Sequence, residues 1–277
     1  MSVTLRRLAT PTPDRWPIGM FYLVKNSPRD LKVMLRVSDD EARSFAAPTT
    51  VTNVPGYHVM NNDRVTRLRS GRLICPVAST RDVSKANHFV ACCFLSDDAG
   101  RTWRRSRGQV DYAKRGAMEP AVVELDDGRL LMILRTQLGH IAVSYSGDQG
   151  MTWTPAKSWH VRAPEAPATV RRIPSTGDLM LIWNDVFVSG SGHGGPRRPL
   201  TVAISHDDGT TWTHKRNLES APGENYSYLS ATFDHGRLLV TYYVNADKSG
   251  RISTRFRSLP IAWLYTESAT RQHTKKR

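Results

Sequence analysis

The chain has 277 residues, enough for one large domain or two small ones with a sizeable buried core. Its 39% apolar content and seven Trp exclude a disordered chain, and no apolar run approaches the roughly 18–20 residues that span a bilayer. The formal charge of +14 favours acidic partners, but the Lys and Arg are scattered and no basic segment is interleaved with aromatics, so nucleic acid is not expected as a ligand.

The opening stretch, MSVTLRRLATPTPDRWP, lacks the uninterrupted apolar centre of a secretory signal, which leaves a cytoplasmic location open. Residues 1–19 read as an N-terminal segment, 20–266 as one repeat-built domain, and 267–277, with its terminal QHTKKR, as a basic solvated tail. Within the domain an octapeptide recurs. SDDAGRTW at 96–103, SGDQGMTW at 146–153 and SHDDGTTW at 205–212 share Ser-x-Asp-x-Gly-x-Thr-Trp, and a worn copy, SDDEARSF, stands at 38–45. A second element keeps step with it: SGRLICPV, DGRLLMIL, TGDLMLIW and HGRLLVTY, centred on Gly71, Gly128, Gly177 and Gly236. Each reads as a hairpin turn followed by an apolar run of strand length, and Val90, Cys92 and Phe94 lead by alternation into an octapeptide. Cys75, Cys92 and Cys93 are an odd set with an adjacent pair, suited neither to a disulfide framework nor to a zinc site; buried strand thiols are expected.

The octapeptide has a physical logic. Its Ser and Asp can accept hydrogen bonds from backbone donors of their own turn, its Gly can take positive φ, and its Trp supplies a large apolar plug with one polar tip. Four copies in step with a second hairpin predict an all-β chain of four-stranded antiparallel units, stacked or radially arranged as in a β-propeller.

These octapeptides resemble the Asp-box, or BNR repeat, of the sialidase superfamily, over about residues 20–265. The resemblance implies a sialidase-like β-propeller, incomplete with respect to six blades and lacking the N-terminal one. The family's opening Arg-Ile-Pro motif, and the general-acid aspartate that follows it, have no counterpart before Val37. Ile173 and Pro174, preceded by Arg172, lie inside a later unit. In MEPAVVELDDGRLLMILRTQLG, Glu119 and Arg135 occupy the places of a family glutamate and arginine that point into the central pocket. GPRRPLTVAISHDDGTTW supplies a second arginine, Arg197, with Arg198 as its alternative. ENYSYLSATFDHGRLLVTYY supplies the tyrosine nucleophile, Tyr228, with Tyr226 second; on a regular strand both face the same way.

The implied chemistry suits these side chains. Arg135 and Arg197 would grip the carboxylate of a sialoside through paired charge-assisted hydrogen bonds. Tyr228 would attack the anomeric carbon with Glu119 as its base, since a neutral phenol avoids the repulsion an anionic nucleophile would meet beside that carboxylate. The expected activity is that of a retaining exo-glycoside hydrolase removing terminal sialic acid or a related acidic sugar, without metal or organic cofactor. A catalytically inactive propeller that binds acidic glycans or a protein partner is the alternative, and a relative acting on another glycan is a third. Outside the family pattern, His58, Asn62 and Asp63 precede a repeat turn where Asp63 could supply an acid and His58 could bond a hydroxyl; local turn formation explains them equally. Glu124, Asp126 and Asp127 read as a solvated hairpin.

Overall fold

The computed structural model describes residues 2–8, 17–246 and 251–266; the tail expected at 267–277 lies outside them. Among the described residues twenty strands follow one another, with a single five-residue α-helix, α1 (Ile261–Tyr265), at the end. They form five successive antiparallel units. The first comprises β1 (Val3–Arg7), β2 (Ile18–Ser27), β3 (Asp30–Ser38) and β4 (Thr49–Thr50). The second holds β5 (Gly56–Val59), β6 (Thr66–Arg67), β7 (Leu73–Thr80), β8 (Val90–Ser96) and β9 (Arg104–Arg105), and a short parallel pairing of β3 with β5 joins it to the first. Two regular four-stranded sheets follow: β10 (Met118–Glu124) to β13 (Lys157–Arg162) through β11 (Leu130–Arg135) and β12 (His140–Ser146), then β14 (Thr169–Arg172) to β17 (Thr213–Glu219) through β15 (Leu179–Asn184) and β16 (Leu200–Ser205). The fifth has three strands, β18 (Glu224–Asp234), β19 (Arg237–Ala246) and β20 (Ile252–Pro260). The segment read as standing ahead of the domain instead contributes β1, which pairs with β2 from Val3↔Tyr22 to Arg7↔Ile18.

The units are arranged radially. Residues of β1, β6, β10, β14 and β18 line one axial cavity, so the inner position is taken by the first strand in four units and, in the second, by β5 and β6, which pair in turn with β7. The apolar cores sit between neighbouring units: Ile133, Val143, Val170 and Leu181 join the third to the fourth, and Ile182, Val202, Tyr226 and Val240 join the fourth to the fifth. Arg64, fully buried, reaches from the second unit to the fourth, donating to Thr169 Oγ1 (3.1 Å) and Ala168 O (2.9 Å). Cys75, Cys92 and Cys93 are free and buried in β7 and β8.

Each octapeptide is the corner between the last two strands of its unit. In the copy at 205–212, Ser205 Oγ donates to Asp207 Oδ1 (2.7 Å) and accepts from Gly209 N (2.8 Å), while Asp207 accepts from Thr211 N (2.8 Å) and Thr211 Oγ1 (2.7 Å). The copies at 96 and 146 repeat this set. The worn copy keeps it too, because Ser44 Oγ replaces the threonine hydroxyl on Asp40 (2.6 Å) and Ala42 adopts φ 65° where the others have glycine near 89°. The Thr211 hydroxyl and amide are the main bonds holding the Asp207 carboxyl down at about 2. Asp207→Ala is therefore expected to cost about 1–2 kcal/mol, a modest value because the group is solvent-exposed. A depressed carboxylate stabilises fully above its unfolded pKa of ~4, and that contribution disappears as pH falls through about 2. Denaturant midpoints of wild type and variant should thus differ at pH 7 and converge near pH 2.

Candidate active site

All inner strands run in the same direction along the axis, from a cavity at their starts to the repeat hairpins at their ends. The cavity at the starts measures about 200 Å³ and is lined by Glu119, Arg135, Tyr228, Arg115 and His193 above an apolar floor that includes Val59, Phe89 and Met118. Three of the four residues assigned from the sequence line it, and the fourth, Arg197, stacks its guanidinium 5.8 Å from the centre of the Tyr228 ring.

Local backbone irregularity aims these side chains. Glu119 opens β10 with φ 41°, and the pairing of β10 with β11 shifts register between Met118 and Ala121. Tyr228 has φ 57° at a second register shift, between Ser227 and Ser230 of β18. The extra residue of such a bulge breaks the two-residue alternation, so the same-face expectation for the two tyrosines fails. Tyr226 is fully buried against Tyr242 and donates to Glu224 Oε2 (2.8 Å); burial, then this carboxylate, push it up to about 12. Tyr228 is half-buried in the cavity wall beside Tyr243. Arg197 is placed by its backbone: its N–H donates to Asn225 Oδ1 (2.8 Å), and its carbonyl accepts from Tyr226 N (3.0 Å) and Asn184 Nδ2 (2.7 Å).

Arg135, at the end of β11, is the electrostatic centre. Its side chain is 3% exposed; Nη1 donates to Glu119 Oε2 (2.8 Å), and Nη2 reaches Glu165 Oε1 (3.3 Å) and His193 Nδ1 (2.6 Å). Burial disfavours its charge, but Glu119, Tyr228 and Glu165 outweigh that and hold its pKa above the ordinary value. His193 is held below its ordinary value by partial burial and then by Arg135 and Arg197, which favours the neutral ring that accepts a hydrogen bond from Arg135 Nη2 at Nδ1.

Glu165, Arg115 and His193 were not identified from the sequence. Glu165 sits in the loop before β14 and Arg115 in the loop before β10, and the two form an ion pair. His193 lies in a single 3₁₀ turn, Gly192–Gly194, within the loop SGSGHGGP, whose glycine density is the one local signal that marked it. Asp63 does not enter the cavity: it bridges Arg6 Nη2 (2.8 Å) and Arg171 Nη2 (2.8 Å) and accepts from Ala231 N (3.2 Å), which fastens β1, β14 and β18 to the second unit. His58 is buried against Phe94, bonded to Ser79 Oγ (2.8 Å) and Val54 O (3.1 Å). Asn62 touches the site only by donating to the Tyr228 carbonyl (3.3 Å). Asp126 and Asp127 pair with Arg172 and Arg129 on the hairpins. Among the described residues no group of three His, Cys, Asp or Glu is placed to hold a metal ion, and no helix is long and apolar enough to cross a membrane.

The BNR repeat-like domain model matches residues 8–240. The chain belongs to this family, within the sialidase superfamily. A sialidase of Bacteroides fragilis (strain YCH46) is 25% identical over 204 residues, 71% of this chain but only 36% of its own length. A protein of unknown function from Dyadobacter fermentans has a crystal structure with a TM-score of 0.70 and 21% identity, covering 93% of this chain and 75% of its own. An intramolecular trans-sialidase from Ruminococcus gnavus, solved with oseltamivir carboxylate, gives a TM-score of 0.67 at 19% identity, covering 86% of this chain and 52% of its own. The chain thus spans about a third of the length of the Bacteroides fragilis sialidase and shares the sialidase β-propeller fold of antiparallel blades.

Proposed function

We propose that this BNR-repeat chain is a sialidase-like exo-glycosidase acting on terminal sialic acid or a related acidic sugar with retention of configuration. The observation that carries this reading is the grouping of Arg135, Arg197, Glu119 and Tyr228 at one end of the axis, with guanidinium and phenol 5.8 Å apart. A sugar carboxylate seated against Arg135 and Arg197 would displace His193 from Arg135 Nη2 and gain charge-assisted hydrogen bonds in a largely dehydrated site. The Tyr228 oxygen then attacks the anomeric carbon as its proton passes to Glu119, the glycosidic carbon–oxygen bond breaks, and the leaving oxygen carries away the bonding electrons. Water then attacks the anomeric carbon from the face that the leaving group vacated, its proton passing to the released anion or to solvent, while the bond to the Tyr228 oxygen breaks and Glu119 returns its proton to that oxygen, so two inversions retain the configuration.

One observation favours binding without turnover. Glu119 is the sole carboxylate lining the cavity among the described residues, because Asp63 is tied up between Arg6 and Arg171. An alkoxide leaving group therefore meets no carboxylic acid there. The test substrate follows from this: an aryl sialoside expels a stabilised phenolate that needs no protonation. Release of the fluorescent phenol by the purified chain is the expected result. Saturable binding of N-acetylneuraminic acid without any release would instead establish the non-catalytic glycan-binding reading.

A further inference from the structure

The inner strands converge at their other end too, and there the chemistry is different. The axial cavity at the hairpin end, about 580 Å³, is lined by Arg6 and Arg7 of β1, Arg67 and Arg69 at the end of β6, and Arg171 and Arg172 of β14; Glu124 is the one carboxylate in its wall among the described residues. The carboxylates that steady these guanidiniums stand behind or beyond the wall. Asp63, buried on the axis, is shared by Arg6 and Arg171; Glu41 chelates Arg7 through both oxygens (2.8 and 2.7 Å); Asp208 (2.7 Å) and Asp126 (2.8 Å) hold Arg172; and Glu124 itself pairs with Arg69 (3.2 Å). Arg6, Arg7, Arg69, Arg171 and Arg172 are thereby pre-oriented while the cavity between them stays open. Six guanidiniums against five carboxylates leave a net positive charge around the mouth. Consistently, burial and then the charge of Arg171 depress Arg6 against the opposing pull of Asp63.

We propose that this hairpin-end mouth is an anion site for a compact ligand bearing two or more tetrahedral phosphate or sulfate groups. The planar guanidinium fork matches such oxyanions bidentately. Three arginine pairs from three separate units exceed what a single tetrahedral anion can contact, which points to more than one anionic group. The mouth lies on the opposite end of the axis from Arg135 and Tyr228, so its occupancy does not depend on any activity at the other cavity.

Isothermal titration of the full chain with pyrophosphate tests this. Saturable 1:1 binding is expected, weakened at least tenfold in Arg7→Gln/Arg69→Gln and at least threefold in Arg69→Gln alone. The control is Arg104→Gln/Arg129→Gln, which removes the same charge from side chains of matching exposure (55% and 56%, against 52% and 57%) and is expected to change affinity less than twofold. A disulfated disaccharide run in parallel separates the sources: tighter pyrophosphate binding assigns a phosphoanhydride or phosphorylated ligand, tighter disaccharide binding a sulfated glycan, and either supports the site. Absence of saturable binding to both probes, or an equal loss in the two double variants, would overturn it.

Discussion

Replacing Arg135 by alanine is expected to damage the protein twice over. Its side chain is 3% exposed and bonded to two carboxylates, so truncation leaves Glu119 and Glu165 facing each other's charge with Arg115 as the remaining counter-ion for Glu165. Breaking a buried ion pair from one side typically costs about 3–5 kcal/mol, and a comparable fall in unfolding free energy is expected by denaturant titration. The same change removes one fork of the carboxylate grip; two charge-assisted bonds at about 1.5–3 kcal/mol each correspond to a loss of affinity for N-acetylneuraminic acid of at least ~100-fold. Arg135→Lys separates the two effects. The ammonium keeps the charge balance with Glu119 and Glu165 and should recover most of the stability. It cannot present two parallel donors, so affinity should stay low. Recovery of affinity in the lysine variant would show that charge alone, without fork geometry, accounts for recognition.

Tyr228→Phe is expected to act on chemistry alone. The phenyl ring keeps its stack with the Arg197 guanidinium and its contact with Tyr243, so folding stability should change by no more than about 0.5 kcal/mol. Loss of the nucleophilic oxygen should lower kcat for the aryl sialoside by at least ~10³-fold with little change in KM. Tyr226→Phe supplies the contrast. It deletes the hydrogen bond to Glu224 in the core and should lower stability by about 1–2 kcal/mol while leaving kcat within a few-fold. The reverse pattern would reassign the nucleophile to the buried tyrosine.

The repeats were legible because their signal is local. Ser, Asp, Gly and Thr within eight residues satisfy one another, so the turn is written where it forms, and even SDDEARSF preserves the bonding after losing three signature residues. Glu119 and Arg135 were legible as the two ends of one hairpin, where the pairing of Met118 with Arg135 brings them side by side. What escaped the sequence depends on geometry that spacing does not encode. Tyr226 and Tyr228 part company at a bulge, and a strict alternation rule has no way to foresee the extra residue. Glu165, Arg115 and His193 come from three loops that meet only after three units have closed around the axis. Asp63 looks like an available acid in the sequence; long-range pairing with Arg6 and Arg171 makes it a structural tie. The first strand was hidden for a related reason, since its partner β2 lies beyond a Pro-rich stretch that reads as linker.

The proposed function rests on guanidinium recognition of a sugar carboxylate at the cavity of Arg135, Arg197 and Tyr228. The most direct measurement compares the affinities of N-acetylneuraminic acid and its methyl ester for the intact chain. Esterification removes the charge and one acceptor while leaving the rest of the sugar unchanged, so the ester should bind at least ~30-fold more weakly, and the difference should shrink in Arg135→Lys, where the charge remains but the fork is lost. Equal binding of acid and ester to the wild-type chain would contradict the account.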